Sequence, residues 1–126
     1  MDFNELMKSE DYTKEYDIQD INANKLMGIL AYFWILFLVP IFTARQSKFA
    51  MFHVEQAITL FIGATVFGVL TGIVCTIDVI AFILGPIFGL VSLAFLILAI
   101  IGIINAANGQ AKELPIVGKF KIVKLQ

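Results

Sequence analysis

Residues 57–76 read AITLFIGATVFGVLTGIVCT, a run of 20 positions without a charged side chain. As a helix this run would be roughly 30 Å long, which is about the thickness of the hydrocarbon core of a bilayer. Residues 87–106, IFGLVSLAFLILAIIGIINA, and residues 26–44, LMGILAYFWILFLVPIFTA, have the same character. The pattern predicts an all-α integral membrane protein with about three transmembrane helices, over about 26–44, 54–76 and 87–106.

The composition supports this prediction. The chain has 126 residues, of which 60% are hydrophobic and 15% are charged, and its mean hydropathy is +0.90. An ordinary soluble domain is roughly 45–50% apolar and about 25% charged. The charges gather at the two ends, so we predict a polar acidic N-terminal tail over 1–25, a transmembrane helical domain over 26–107 and a basic amphipathic C-terminal tail over 108–126.

The positions of the basic residues predict an orientation. With three spans, the first loop and the C-terminal tail lie on the same side of the membrane, and the positive-inside rule places that side in the cytoplasm. We therefore expect a multi-pass protein of the plasma membrane whose N-terminus is outside and whose C-terminus is cytoplasmic. The residues expected to contact the membrane surface are Arg45, Lys48, Lys119, Lys121 and Lys124.

Small residues recur at every fourth position of the second predicted span, at Ala64, Gly68, Gly72 and Thr76. This spacing places them along one side of a helix. Membrane helices associate through such stripes because small side chains let two backbones come close. The stripe predicts a homo-oligomer or a contact with another membrane protein, within the lipid bilayer.

A polar cluster precedes the same span, at His53, Glu55 and Gln56. His53 and Gln56 are three residues apart and share one face of a helix. They could line a pathway or contact a lipid headgroup. The alternative, which we favour, is that they cap the first loop or bond to backbone carbonyl groups of the returning chain. Asp78, followed by Gly85 and Pro86, is expected to mark the turn between the second and third spans.

Several classes of function are disfavoured by the residues present. Cys75 is the single cysteine and His53 the single histidine, so an internal disulfide and a Cys/His zinc site are excluded. No motif of a hydrolase, zinc protease or nucleotide-binding loop occurs. We expect no enzyme activity, no cofactor, no metal and no nucleic-acid partner, and predict an accessory or structural role. The alternative is a small channel or translocation component, in which oligomerised copies enclose a path lined by Thr59, Thr65, Thr71, His53 and Gln56.

Two stretches resemble a known family. They are KLMGILAYFWILFLVPIFTARQSKFAMFHVEQ, with its F-x-x-F-H-x-x-Q pattern at Phe49, Phe52, His53 and Gln56, and INAANGQAKELPIVGKFKI, with Ala106, Gly109 and Pro115 in an A-x-x-G-x-x-x-x-x-P pattern. Over about residues 25–122 the chain resembles the Tic-twenty-like small bacterial membrane proteins, a domain of unknown function. The resemblance implies a multi-span topology and a remote similarity to a protein-import component, without an established transport activity.

Overall fold

The structure, a computed structural model, describes Asn4 and residues 7–126, with the backbone alone at Trp34. The regular elements of this part of the chain are helical, which confirms the predicted all-α class. The α-helices are α1 (Ile18–Ala23), α2 (Lys25–Leu30), α3 (Leu38–Thr43), α4 (Lys48–Val74) and α5 (Asp78–Ala107), with short 3₁₀ turns at Thr13–Glu15, Trp34–Phe37 and Val117–Lys119.

The long helices α4 and α5 form an antiparallel hairpin. Among the described residues, these two helices are long and apolar enough to cross a membrane. They meet along aromatic side chains, since the ring of Phe67 lies 5.8 Å from Phe88 and 5.7 Å from Phe95 between centroids. Two helices of spanning length are therefore present in the described part of the chain, rather than the three predicted.

The turn of the hairpin is shorter than the sequence predicted. It consists of residues 75–77, and α5 begins at Asp78 instead of near Ile87. Pro86, which we expected in the turn, lies inside α5. A proline removes one backbone hydrogen bond, but hydrocarbon offers no water to replace the others, so a membrane helix continues through it. The acid at Asp78 also suits the positive end of the helix dipole.

The first predicted span, residues 26–44, is not a single helix. Helix α2 ends at Leu30, and α3 begins only at Leu38. Pro40 would remove the hydrogen bond to residue 36 and clash with its carbonyl group in a continuous helix. Starting α3 at Leu38 puts Pro40 in a first turn, where its missing N–H has no partner to lose.

Both ends of this broken segment lie at the same end of the hairpin. The hydroxyl group of Thr43, at the end of α3, is 3.6 Å from the sulfur of Met27 in α2. Asp20, just before α2, accepts a hydrogen bond of 3.0 Å from the backbone N–H of Phe49, at the start of α4. The segment thus enters and returns on one side, and we call residues 25–43 the re-entrant segment.

The two tails also lie at that end. The N–H of Tyr12 donates to the carbonyl oxygen of Ala111 at 2.8 Å, and Asp11 forms an isolated β-bridge with Lys112. Together with residues 48–60 and 102–107 of the hairpin, the tails form a compact polar unit, which we call the head. The predicted arrangement, with the N-terminus outside and the C-terminus in the cytoplasm, does not fit tails that are paired with each other.

Candidate functional site

The centre of the head is the buried imidazole of His53, which is 0% exposed. Its Nε2 atom lies 2.8 Å from the carbonyl oxygen of Gln110, and its Nδ1 atom lies 2.8 Å from the hydroxyl oxygen of Tyr32. A carbonyl group only accepts, so Nε2 carries the proton and donates. In the neutral ring Nδ1 then accepts from the tyrosine hydroxyl. His53 therefore ties the re-entrant segment to the chain that leaves α5.

Two glycines make this arrangement possible. At Gly28 a Cβ atom would lie 3.2 Å from both the His53 ring and Ala106, so α2 approaches the hairpin closely there. At Gly102 a Cβ atom would collide with the ring of Tyr32. The tyrosine ring can reach His53 only because α5 has no side chain at this position.

Gln56 binds the C-terminal tail on the next turn of α4. Its side-chain oxygen accepts from the N–H of Leu114 at 3.0 Å, and its side-chain nitrogen donates to the carbonyl oxygen of Gly118 at 3.3 Å. Gly118 allows this contact because a Cβ atom there would lie 2.7 Å from the Gln56 oxygen. The amide is satisfied on both sides by backbone groups.

Glu55 is the third member of the predicted polar cluster, and it holds the end of the tail. Its carboxylate accepts from the backbone N–H groups of Leu125 at 2.7 Å and of Gln126 at 3.2 Å. The side chain of Gln126 also accepts a hydrogen bond of 2.8 Å from the hydroxyl group of Tyr16. The cluster His53, Glu55 and Gln56 is thus brought together, each residue holding a different part of the C-terminal chain.

Glu113 is a buried acid that the sequence analysis did not single out. Its side chain is 2% exposed and lies 3.5 Å from the ammonium group of Lys119 and 3.8 Å from that of Lys121. The backbone N–H of Glu10 also donates to it at 3.3 Å. Two of the lysines predicted to contact the membrane surface are therefore paired with this acid.

Asp20 is a second acid that the sequence analysis missed. It accepts from the side-chain nitrogen of Asn24 at 2.8 Å and from the backbone N–H of Phe49, while the hydroxyl group of Ser47 also donates to it. Ser47 in turn caps α4 by accepting from the N–H of Ala50 at 3.0 Å. The start of α4 is thus fixed by two acceptors.

A cleft of about 500 Å³ opens on the surface of the head between the two tails and α4. Burial in its wall raises the pKa of Tyr16 to about 12, so the phenol stays protonated and can donate to Gln126. The wall carries both signs of charge, and Lys121 is also 4.9 Å from the ring centroid of Tyr12. The cleft is lined by Tyr12, Glu15, Tyr16, Lys48, Phe52, Glu55, Gln56, Lys121, Val123, Lys124 and Gln126.

The predicted packing stripe lies away from the head. Gly68, Gly72 and Thr76 are exposed, and apart from chain neighbours and the local helix backbone no described atom lies within 4 Å of a Cβ built at either glycine. Only Ala64 is partly covered. At its two glycines the stripe is open in the described part of the chain, so its role in association stays a prediction.

The residues proposed to line a path between oligomerised copies do not share one exposed surface of the single chain. His53 and Gln56 are buried and hydrogen-bonded, and Thr59 donates to the carbonyl oxygen of Glu55 at 3.0 Å. Thr65 is exposed on the surface of the hairpin. Among the described residues, no three His, Cys, Asp or Glu side chains come together as metal ligands.

Comparisons with known proteins identify a family. The model of a family described as the magnetosome magnetite crystal formation protein family matches residues 22–121. A UPF0132 membrane protein of Methanocaldococcus jannaschii is 31% identical over 93 residues, which cover 72% of this chain and 62% of that protein. The chain thus spans about three fifths of the length of this relative. No solved structure matches.

The resemblance to the Tic-twenty-like family is wrong. The family match and the archaeal relative both point elsewhere, and neither supports a transport function. The quoted F-x-x-F-H-x-x-Q pattern has a structural explanation in this chain. Phe49 and Phe52 pack against the His53 ring, at centroid distances of 4.9 and 5.3 Å. The pattern therefore describes the core of the head.

Proposed function

This chain belongs to the magnetosome magnetite crystal formation protein family, and on that premise we propose that it is a non-enzymatic, structural membrane protein that anchors its polar head to one face of a bilayer. In this proposal α4 and α5 each cross the membrane once, so the chain has two spans. The re-entrant segment enters from the head side and returns to it. Both termini then lie on the same side.

The observation that carries the proposal is the division of burial along the hairpin. The buried residues of α4 all lie between Phe49 and Leu60, and those of α5 between Gly102 and Ala106. Beyond them the helices expose large apolar side chains, such as Phe82 at 86% and Leu70 at 57%. Water would be a costly solvent for this surface, whereas lipid is not.

The lengths also suit a bilayer. From Gln56 to Val74, α4 has about 19 residues, which is roughly 28 Å at the helical rise and close to the hydrocarbon thickness. Glu55, which is partly exposed, marks the boundary on the head side, so residues 56–60 at the inner end of the head lie within the proposed membrane region. Asp78, which is exposed at the turn, marks the opposite boundary. No charged residue lies between these boundaries on α4.

The basic residues support a cytoplasmic head. All nine lysine and arginine residues of the chain lie outside residues 49–111, and therefore on the head side of the hairpin. The opposite side receives only the turn at 75–77 and Asp78. Because the positive-inside rule counts lysine and arginine rather than net charge, the acids of the N-terminal tail do not weaken this assignment.

A non-enzymatic role agrees with the hydrogen bonds of the buried polar residues in the head, which go to other residues of the same chain. The imidazole of His53 and the amide of Gln56 have both of their polar ends bonded to other parts of the same chain. Neither is available to a substrate without first breaking the head. We propose that the chain contributes to magnetite crystal formation, the process described for its family, through its effect on the membrane and not by binding mineral. On the side opposite the head, Asp78 is the only acid that could contact a mineral surface.

The test is the accessibility of single cysteines to a membrane-impermeant maleimide in spheroplasts. The natural Cys75 lies at the turn and is the only cysteine, so it reports on the side opposite the head. In a Cys75→Ser background, Lys8→Cys and Lys124→Cys report on the two tails. We expect Cys75 to be labelled in intact spheroplasts, and both tail cysteines only after permeabilisation. Labelling of just one tail cysteine in intact spheroplasts would instead restore the three-span arrangement.

A further inference from the structure

The cross-section of the protein differs between its two ends within the proposed membrane region. On the head side, the tip of the re-entrant segment lies beside α4 and α5, where Phe37 is 6.2 Å from Phe61 between ring centroids and Phe33 lines a groove with Phe95. Towards the turn only α4 and α5 remain. Each helix with its side chains is about 10–12 Å wide. The chain is therefore wider in the head-side leaflet than in the opposite one.

The depth of the re-entrant segment confines it to one leaflet. Its tip, at Phe33 and Leu36, lines an apolar groove together with Phe61 and Ala64 of α4. These positions are 5 to 8 residues beyond Gln56, or roughly 8–12 Å along the helix. Half of the hydrocarbon core is about 15 Å thick. The tip thus stops short of the middle of the bilayer.

The outer surface of the re-entrant segment is apolar and uncovered by the described chain. Phe42 is 79% exposed, and the other large apolar side chains that face outward are Leu26, Phe33, Ile35, Leu36 and Leu38. Such a surface is stable beside acyl chains and costly in water. The segment therefore adds its volume to the hydrocarbon of the head-side leaflet rather than to the aqueous head.

The segment is also held in place. Tyr32 is hydrogen-bonded to His53, Gly28 lies against the hairpin, and Asp20 joins the entry of the segment to the start of α4. A loosely attached segment could be squeezed out when lipids are compressed. One that is fixed at its middle and at its base keeps its width, so the surrounding lipids must adapt to it.

We propose that this chain is a curvature-preferring protein, whose re-entrant segment widens the head-side leaflet and favours bilayers that are convex on the head side. In a curved bilayer the lipid headgroups of the convex leaflet are spread apart. Lipids therefore adapt to the protein at the lowest cost when its wider part lies in that convex leaflet. The inference rests on the proposed two-span arrangement with a single-sided head. With a cytoplasmic head, the favoured curvature is that of an intracellular vesicle seen from the cytoplasm.

The experiment measures protein density as a function of vesicle size. The full chain, carrying Gln46→Cys in a Cys75→Ser background, is reconstituted into vesicles of one lipid composition and labelled with an impermeant dye, so that only outward-facing heads are counted. We expect the dye per unit membrane area to rise roughly twofold or more between vesicles of about 400 nm and about 50 nm. A density that does not change with diameter would overturn the proposal.

Two matched triple variants test the cause. Phe42→Ala, Leu36→Ala and Leu38→Ala together narrow the head-side leaflet, and we expect them to reduce the dependence on diameter. Phe82→Ala, Leu70→Ala and Ile83→Ala remove side chains of the same total size from the opposite leaflet. They should preserve or steepen the dependence of protein density on vesicle diameter. All six residues are exposed, so the head stays folded. Equal effects of the two variants would contradict the wedge.

A failure of the curvature proposal remains separable from a failure of the topology. If Gln46→Cys and the natural Cys75 are labelled from opposite sides but density is independent of diameter, the two-span arrangement stands and the wedge is wrong. If both are labelled from the same side, the arrangement itself is wrong, and the curvature proposal falls with it.

Discussion

The two halves of the hairpin use the same helices for opposite purposes. In the head half, residues 48–60 and 102–107, polar side chains are buried and bonded to other parts of the chain, such as Gln56 to the carbonyl oxygen of Gly118. In the distal half, residues 61–101, apolar side chains face outward, and the hydroxyl group of Thr71 has no partner in the described chain. The difference teaches that one helix can have two surroundings, the protein's own core at one end and, in the proposed arrangement, lipid at the other.

The glycines of α5 provide the largest test of this comparison. Gly102→Ala places a Cβ atom against the ring of Tyr32 and should destabilise the head by about 1–3 kcal/mol, the usual cost of overpacking. Gly89→Ala, in the same helix, meets nothing within 4 Å and should be neutral or stabilise by up to about 1 kcal/mol, since alanine favours a helix. Reversible unfolding in mixed detergent micelles measures both. Equal effects at the two positions would break the comparison.

The next largest effect concerns the hydrogen bonds of His53. His53→Leu leaves the hydroxyl group of Tyr32 buried without a partner, at a cost of about 1–3 kcal/mol, while the half-buried carbonyl group of Gln110 also loses its donor. Tyr32→Phe leaves only the Nδ1 atom of His53 unpaired and should cost less. The double variant should be more stable than the sum of the two losses predicts, by roughly 0.5–3 kcal/mol. Strict additivity in the same unfolding measurement would show that the two side chains do not interact.

A smaller and more local effect is expected at Glu113. Glu113→Gln removes the negative charge between Lys119 and Lys121, so the C-terminal tail should open more often while the hairpin stays folded. We expect trypsin to cleave after these lysines roughly tenfold faster, as for a local opening made easier by about 1.4 kcal/mol. Glu15→Gln, at an exposed acid on the other tail, is the matched control and should leave the rate unchanged.

Hydropathy predicted the distal half well and the re-entrant segment badly, for one physical reason. An apolar run of about 20 residues meets lipid in either case, whether it crosses the bilayer or turns back within it. What decides between the two is a pair of long-range contacts, from Tyr32 to His53 and from Asp20 to Phe49. Neither contact can be recognised from the residues of the apolar run 26–44 alone, because the partners His53 and Phe49 lie outside it. Pro40 is a local sign of a break, but a proline near the end of an apolar run is also compatible with one helix that ends there.

The candidate site was predictable in its residues but not in its partners. His53, Glu55 and Gln56 stood out because they are polar side chains beside an apolar run, and the favoured alternative, bonding to backbone carbonyl groups, matches what His53 and Gln56 do. Their partners at Gln110 and Gly118 are main-chain atoms, which every residue carries. Sequence therefore could not identify them. Glu113 was hidden because one acid in a basic tail looks like a solvated charge.

The smallest effect on the stability of the monomer is expected for substitutions in the packing stripe. These substitutions distinguish the distal half of the hairpin from the head half most clearly. Gly68→Leu and Gly72→Leu add side chains into open space, so unfolding of the monomer should change by less than about 0.5 kcal/mol. If the stripe joins two copies, the same variants should abolish the crosslinked dimer of the reconstituted protein, because the backbones can no longer approach. Ile62→Leu, an exposed position on the same helix, is the control. An unchanged dimer band would assign the exposed glycines to lipid, whereas a destabilised monomer would mean that the distal half has packing partners within its own chain.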